Sequence, residues 1–169
     1  MNRLRLILLI TLTISISALA QTSVKVGSLA PGFSGTTIDG TAIDLAELRG
    51  SVVVMTFWST RCAICQTEMP KLNRFAAGYD PKKVVFLALS MENEDKINGY
   101  LQRNPFKFQV MPNSFGVVLS YADRDKNGNI DMGFPSFFVI DQAGLVRYRS
   151  SGYDKTEPLD AAISKLLAN

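Results

Sequence analysis

Val52-Val53-Val54-Met55-Thr56-Phe57-Trp58-Ser59-Thr60-Arg61-Cys62-Ala63-Ile64-Cys65-Gln66-Thr67-Glu68-Met69-Pro70 is the stretch on which the reading of this chain turns. Residues Val52 to Trp58 form a continuous apolar run, the pattern of a strand buried on both faces as in a parallel sheet. A helical stretch is expected next, from about Ala63 to Tyr79, with Leu72, Phe75, Ala76 and Tyr79 as its buried stripe. Pro70 falls inside it and should kink it, since proline lacks an N–H and crowds the preceding turn. Cys62 is thereby delivered just past the carboxyl end of a strand, at the front of a helix. Open α/β sheets place their chemistry at such junctions.

Cys62 and Cys65 are the only cysteines, and histidine is absent from the chain. A bond between cysteines three apart closes too short a loop to staple a fold, so the pair's value is chemical. The lack of histidine removes Ser-His and Cys-His nucleophile systems and nearly every catalytic zinc arrangement. A full zinc site would also need two more ligands of a kind the chain does not have. Redox exchange remains, with Cu(I) held by the two sulfurs and a methionine as the chemical competitor.

A cysteine at a helix amino terminus has its thiolate stabilised by unpaired N–H groups and the positive end of the helix dipole. Cys65, one turn along, is expected to lie deeper and to keep its proton longer. On that asymmetry Cys62 attacks a substrate disulfide, a mixed disulfide forms, and Cys65 displaces the product. Arg61 stands beside the nucleophile and could lower its pKa, weakly if solvated. Glu68 lies three residues beyond Cys65 on nearly the same helical face, placed to accept the deeper thiol's proton. The plainer alternative is a surface glutamate favoured by the dipole of the helix's first turns.

Outward from this centre, the first twenty residues read as a targeting segment. Arg3 and Arg5 precede an apolar run, Leu6 to Ile16, and Ala18-Leu19-Ala20 offers a small-x-small cleavage site before Gln21. The run is shorter than the roughly 20 residues a membrane span needs, so a cleaved signal peptide is expected over residues 1–20. An uncleaved N-terminal membrane anchor is the alternative, and either places residues 21–169, one domain, in the periplasm or cell envelope. Lys and Arg total 18 against 15 Asp and Glu, and two of the arginines lie in the leader. The remaining balance is close to neutral, which points away from nucleic acid.

Turns at Pro31-Gly32 and Asp39-Gly40 suggest a short hairpin ahead of the Val52 strand. Val84 to Leu89 and Phe137 to Ile140 read as further buried strands, and Val146 and Tyr148, alternating with Arg147 and Arg149, as a half-exposed one. Helices are expected over about Glu94 to Arg103 and about Glu157 to Leu167. Strands alternating with helices, then a hairpin and a helix, imply an α/β fold, a three-layer α/β/α sandwich with an N-terminal β-hairpin extension.

The stretch Phe57 to Pro70 resembles the active-site segment of thioredoxin-like proteins of the TlpA, ResA and DsbE type, usually Phe-Trp-Ala-x-Trp-Cys-x-Pro-Cys-x-x-Glu-x-Pro. The resemblance runs from about Val26 to the end, through Val85 to Ser90, Gly133-Phe134-Pro135-Ser136, Ile140-Asp141 and Gly144. It implies a thioredoxin-like fold and a thiol–disulfide oxidoreductase with a redox-active Cys62–Cys65 disulfide and no other cofactor. It makes Pro135 a cis-proline lying against the cysteines, with an exposed backbone edge on which a substrate peptide can pair. Phe134 and Arg61 would touch the partner, Trp58 would pack beside the site, and Glu68 inherits a proton-handling role. Three positions depart from the family pattern: Arg61 for tryptophan, Ile64 for proline, and Phe134 for a smaller residue. Thr56 stands where cytoplasmic thioredoxins carry a buried aspartate.

By the same resemblance the partners would be disulfide-containing exported proteins, apocytochromes c awaiting haem among them. Reducing equivalents would come from a membrane thiol-transfer protein, and the chain would act as a monomer. The segment Gly27 to Gly50 is also similar to peroxiredoxins, whose peroxide-binding hydroxyl would correspond to Ser59. Met55 replaces the proline of that motif; a thiol peroxidase is one alternative reading, and a Cu(I)-binding protein or a non-catalytic thioredoxin-like protein-interaction module is another. Finally, Asp123, Asp125, Asn127, Gly128, Asn129 and Ile130 match the first eight positions of an EF-hand-type calcium loop. The twelfth position is Phe134 instead of a carboxylate, so a polar asparagine-glycine turn is favoured over a calcium site.

Overall fold

The computed structural model describes residues 23–168; the expected signal segment lies outside them. Its centre is a five-stranded sheet with the Val52 strand in the middle. The Val52 run forms β3 (Val52–Phe57), buried at every position as its composition requires. Beside it β4 (Val84–Leu89) runs parallel, and β5 (Gln109–Met111) runs parallel to β4 at the edge. On the other side β8 (Ser136–Ile140) runs antiparallel to β3, and β9 (Val146–Ser151) antiparallel to β8.

Alternation along β3 sorts its side chains into two layers. Val52, Val54 and the following Trp58 join the layer built from α1 (Ala63–Ala76), α2 (Glu94–Leu101) and α4 (Thr156–Leu167). Val53, Met55 and Phe57 join the opposite layer, with Val118 and Tyr121 of α3 (Phe115–Tyr121) and with Val24, Ala30, Ile43 and Leu45. The sandwich is therefore asymmetric: three helices cover one face, while one short helix and the N-terminal segment cover the other.

The expected N-terminal hairpin is β1 (Ser34–Thr36) against β2 (Ala42–Asp44), and its turn depends on Gly40 at φ +83°. The Ile38 N–H donates to the Val110 carbonyl at 2.9 Å, fastening the hairpin to the sheet edge. The helix of α1 passes through Pro70 and ends at Ala76, three residues short of the expected Tyr79, because residues 77–79 close as turns on Asn73, Phe75 and Ala76. A two-residue-per-strand hairpin, β6 (Asp123–Arg124) and β7 (Ile130–Asp131), precedes the loop to β8.

Candidate active site

Cys62 caps α1. Its backbone is extended (φ −84°, ψ 104°), and its Sγ accepts the Cys65 N–H at 3.1 Å. The two cysteines are joined as a disulfide with their Cα atoms 5.2 Å apart. Cys62 is half-buried, whereas Cys65 is only 4% exposed and belongs to the core layer under the helices. The expected inequality in depth is present.

The loop that carries Cys62 from β3 to α1 is pinned at Thr60. Its N–H donates to Glu92 Oε2 at 2.6 Å, its hydroxyl donates to Glu92 Oε1 at 2.9 Å, and its carbonyl accepts the Gln66 side-chain amide at 2.6 Å. Lys96 pairs with Glu92 Oε1 at 2.5 Å, and Arg61 stands 4.0 Å away with its side chain 82% exposed. Burial pushes the Glu92 carboxyl up, but Lys96 and the two Thr60 donors outweigh it and hold it below the usual carboxylate range. Arg61 therefore lies between solvent and a carboxylate, an arrangement that spends part of its charge away from Cys62.

The Phe134–Pro135 peptide bond is cis. The Phe134 carbonyl oxygen lies 3.5 Å from Cys62 Sγ, and Phe134 packs against both core layers. Pro135 is itself buried, with its carbonyl accepting the Gly152 N–H at 2.8 Å, so the edge facing Cys62 belongs to Phe134. A hollow of about 420 Å³ opens beside Cys62, lined among others by Trp58, Arg61, Met91, Glu92 and Phe134. Trp58 packs on Tyr100 and Phe106 with ring centroids 5.8 and 5.6 Å away, the packing role expected of it.

Glu68 is 2% exposed, not a surface residue, and its Oε2 accepts the Asp154 N–H at 3.0 Å. It therefore ties α1 to the turn before α4 while sharing with Cys65 the helix's buried face. Along the calcium-type spacing at 123–130 the two leading carboxylates have protein partners. Asp123 is paired with Arg149 at 3.1 and 2.6 Å, and Asp125 accepts from the Asn127 and Asn129 backbone and from the Asn129 side chain. The segment has the geometry of an asparagine-glycine turn, with Gly128 at φ +81°.

Glu92 is the residue that sequence reasoning missed. It lies 32 positions from Thr60, and no local pattern announces a pairing across that distance.

A cysteine pair of unequal depth at the front of a helix, on a thioredoxin-like sheet, defines a thiol–disulfide oxidoreductase. Residues 26–149 match the AhpC/TSA family, and the chain belongs to it. It is 29% identical over 144 residues to a thiol-disulfide oxidoreductase ResA of Bacillus cereus, covering 84% of this chain and 79% of that one. With ResA of Geobacillus thermodenitrificans it shares 32% identity over 127 residues, 75% of this chain and 70% of the relative. In fold it is similar to a thiol:disulfide interchange protein of the thioredoxin family from Chlorobium tepidum TLS. That superposition has a TM-score of 0.70 at 24% identity, over 83% of this chain and 97% of the other.

Proposed function

We propose that this enzyme is exported and reduces disulfides of cell-envelope proteins, with Cys62 as the attacking sulfur and Cys65 as the resolving one. The observation that carries this reading is the Cys65 N–H aimed at Cys62 Sγ while Cys65 itself is sunk in the core. After reduction that N–H and the helix dipole favour negative charge on Cys62, and burial keeps Cys65 protonated.

The Cys62 thiolate attacks one sulfur of a substrate disulfide; a bond to Cys62 forms and the other substrate sulfur leaves as thiolate. Cys65 then gives up its proton, with Glu68 as acceptor, and attacks Cys62 Sγ. The second substrate thiolate departs, and the enzyme is left oxidised, two electrons poorer. The substrate backbone lies along the Phe134 edge, and its flanking side chain fills the hollow between Met91 and Trp58. Two thiols of a membrane thiol-transfer protein restore the pair. Apocytochromes c are one class of exported substrate that fits, because haem attachment requires reduced cysteines.

The leader at residues 1–20 supports export, and among the described residues no helix is long and apolar enough to cross a membrane. Fractionation with N-terminal sequencing tests export: mature protein beginning at Gln21 in the envelope fraction is expected, and full-length cytoplasmic protein refutes it. For the chemistry, Cys65→Ser should accumulate a mixed disulfide with an exported substrate and Cys62→Ser should reduce none. Disulfide reduction by Cys62→Ser at the wild-type rate would refute the assignment, and peroxide consumption with thiol, without disulfide reduction, would favour the peroxidase.

A further inference from the structure

Thr56 is 1% exposed, and its Oγ1 is buried with no hydrogen-bond partner. A hydroxyl taken from water and left unpaired lowers stability, and valine, which precedes it three times in β3, would fill the same space without that cost. The layer it faces also holds the inner sulfur of the pair. Val54 and Trp58, two residues either side on the same face of β3, lie in the buried cluster that contains Cys65, and so does Phe137, the register partner of Thr56 on β8. The hydroxyl is thus an unused donor in the layer where the inner sulfur sits.

A disulfide sulfur accepts hydrogen bonds poorly, whereas a thiolate accepts strongly and a thiol can both accept and donate. We propose that the Thr56 hydroxyl is the hydrogen-bond partner of the Cys65 sulfur in the reduced enzyme, idle in the disulfide and engaged when it opens. This rests on the reading of Cys62 and Cys65 as an exchanging pair. When a thiolate of a dithiol reductant attacks Cys62 Sγ, a bond to Cys62 forms and the Cys62–Cys65 bond breaks, its electron pair staying on Cys65. Thr56 donates to that sulfur. The reductant's second thiolate then attacks the sulfur bonded to Cys62; Cys62 leaves as the thiolate, the reductant departs as a disulfide, and Cys65 takes up one proton, returned through Glu68.

The hydroxyl therefore favours the dithiol over the disulfide. Equilibrating the intact protein with glutathione buffers of varied ratio measures that preference. Thr56→Val should shift the equilibrium about five-fold toward the disulfide, the scale of one neutral hydrogen bond, and Thr56→Ser should stay near wild type. Valine should also leave the oxidised protein's melting temperature unchanged or higher while lowering that of the reduced protein. A role in packing alone predicts equal shifts in both redox forms and an unchanged glutathione equilibrium, and that result overturns the proposal. Should Thr56→Val fail to fold, Thr56→Ala is read against the same glutathione equilibrium. A wild-type pair that never exchanges with glutathione would instead refute the exchange reading itself.

Discussion

Glu92 shows how a single carboxylate can set the geometry of a site without touching the reacting sulfurs. Its side chain is 9% exposed and accepts two hydrogen bonds from Thr60, two residues before Cys62. Its carboxyl is held below its ordinary value in the folded state, so its contribution is fully present above the unfolded value, about pH 4.3, and is lost as the pH falls through the folded value. Glu92→Gln should therefore cost about 1–2 kcal/mol at pH 7 by urea unfolding, a difference that narrows below about pH 4.5. A constant difference between pH 7 and pH 3 would place the effect elsewhere. Glu68→Gln separates the two roles of that residue, because glutamine can still accept the Asp154 N–H but cannot take a proton. The fold should persist and the resolving step, followed by stopped flow at pH 7, should slow on the order of 100-fold. An unchanged rate would leave Glu68 as a tie between α1 and the α4 turn. At this scale Cys62, Cys65 and Glu68 were legible because spacing on one helix places them. The pairing of Thr60 with Glu92 was not, because only the fold brings the β3–α1 and β4–α2 loops together.

Among the elements, α1 carries the site and is fixed by a narrow stripe, Cys65, Met69 and Leu72, buried against the sheet. Leu72→Ala removes a nearly unexposed side chain from that stripe and should destabilise the protein by about 2–5 kcal/mol in denaturant titration. A loss under 1 kcal/mol would mean that α1 is held mainly by its ends. The β6–β7 hairpin makes a contrasting case: Asp123 is committed to Arg149 and Asp125 to the turn's own amides. Melting temperatures with calcium and with chelator should coincide, and a rise of several degrees with calcium would mean the turn reorganises around the ion. Long periodic elements such as β3, β4, α1 and α4 were readable to within a few residues. Helix α3 was not, since Phe115-Gly116-Val117-Val118 mixes apolar residues with a glycine over only seven positions. Strand β5 has three residues, too few for any period to show.

Across the whole molecule, β3 lies at the centre of the sheet and releases its chain at the point where α1 begins. The cis-proline loop before β8 arrives there from the antiparallel side. Cys62 is thus set between the α1 terminus, whose N–H groups favour an anion, and the Phe134 edge on which a partner is proposed to pair, while the core takes Cys65. Sequence indicated this architecture because a buried strand followed by a cysteine-capped helix has few places to go. It did not indicate the asymmetric covering of the sheet, which depends on tertiary contacts of Val24, Ala30 and Leu45 that no periodicity encodes. The proposed exchange depends on the inequality of the two sulfurs. Alkylation of the reduced protein across pH, with each cysteine followed by mass spectrometry, measures it directly. Cys62 should react with a midpoint well below the ordinary thiol value of about 8.5 while Cys65 resists; equal midpoints near that value for both sulfurs would contradict it.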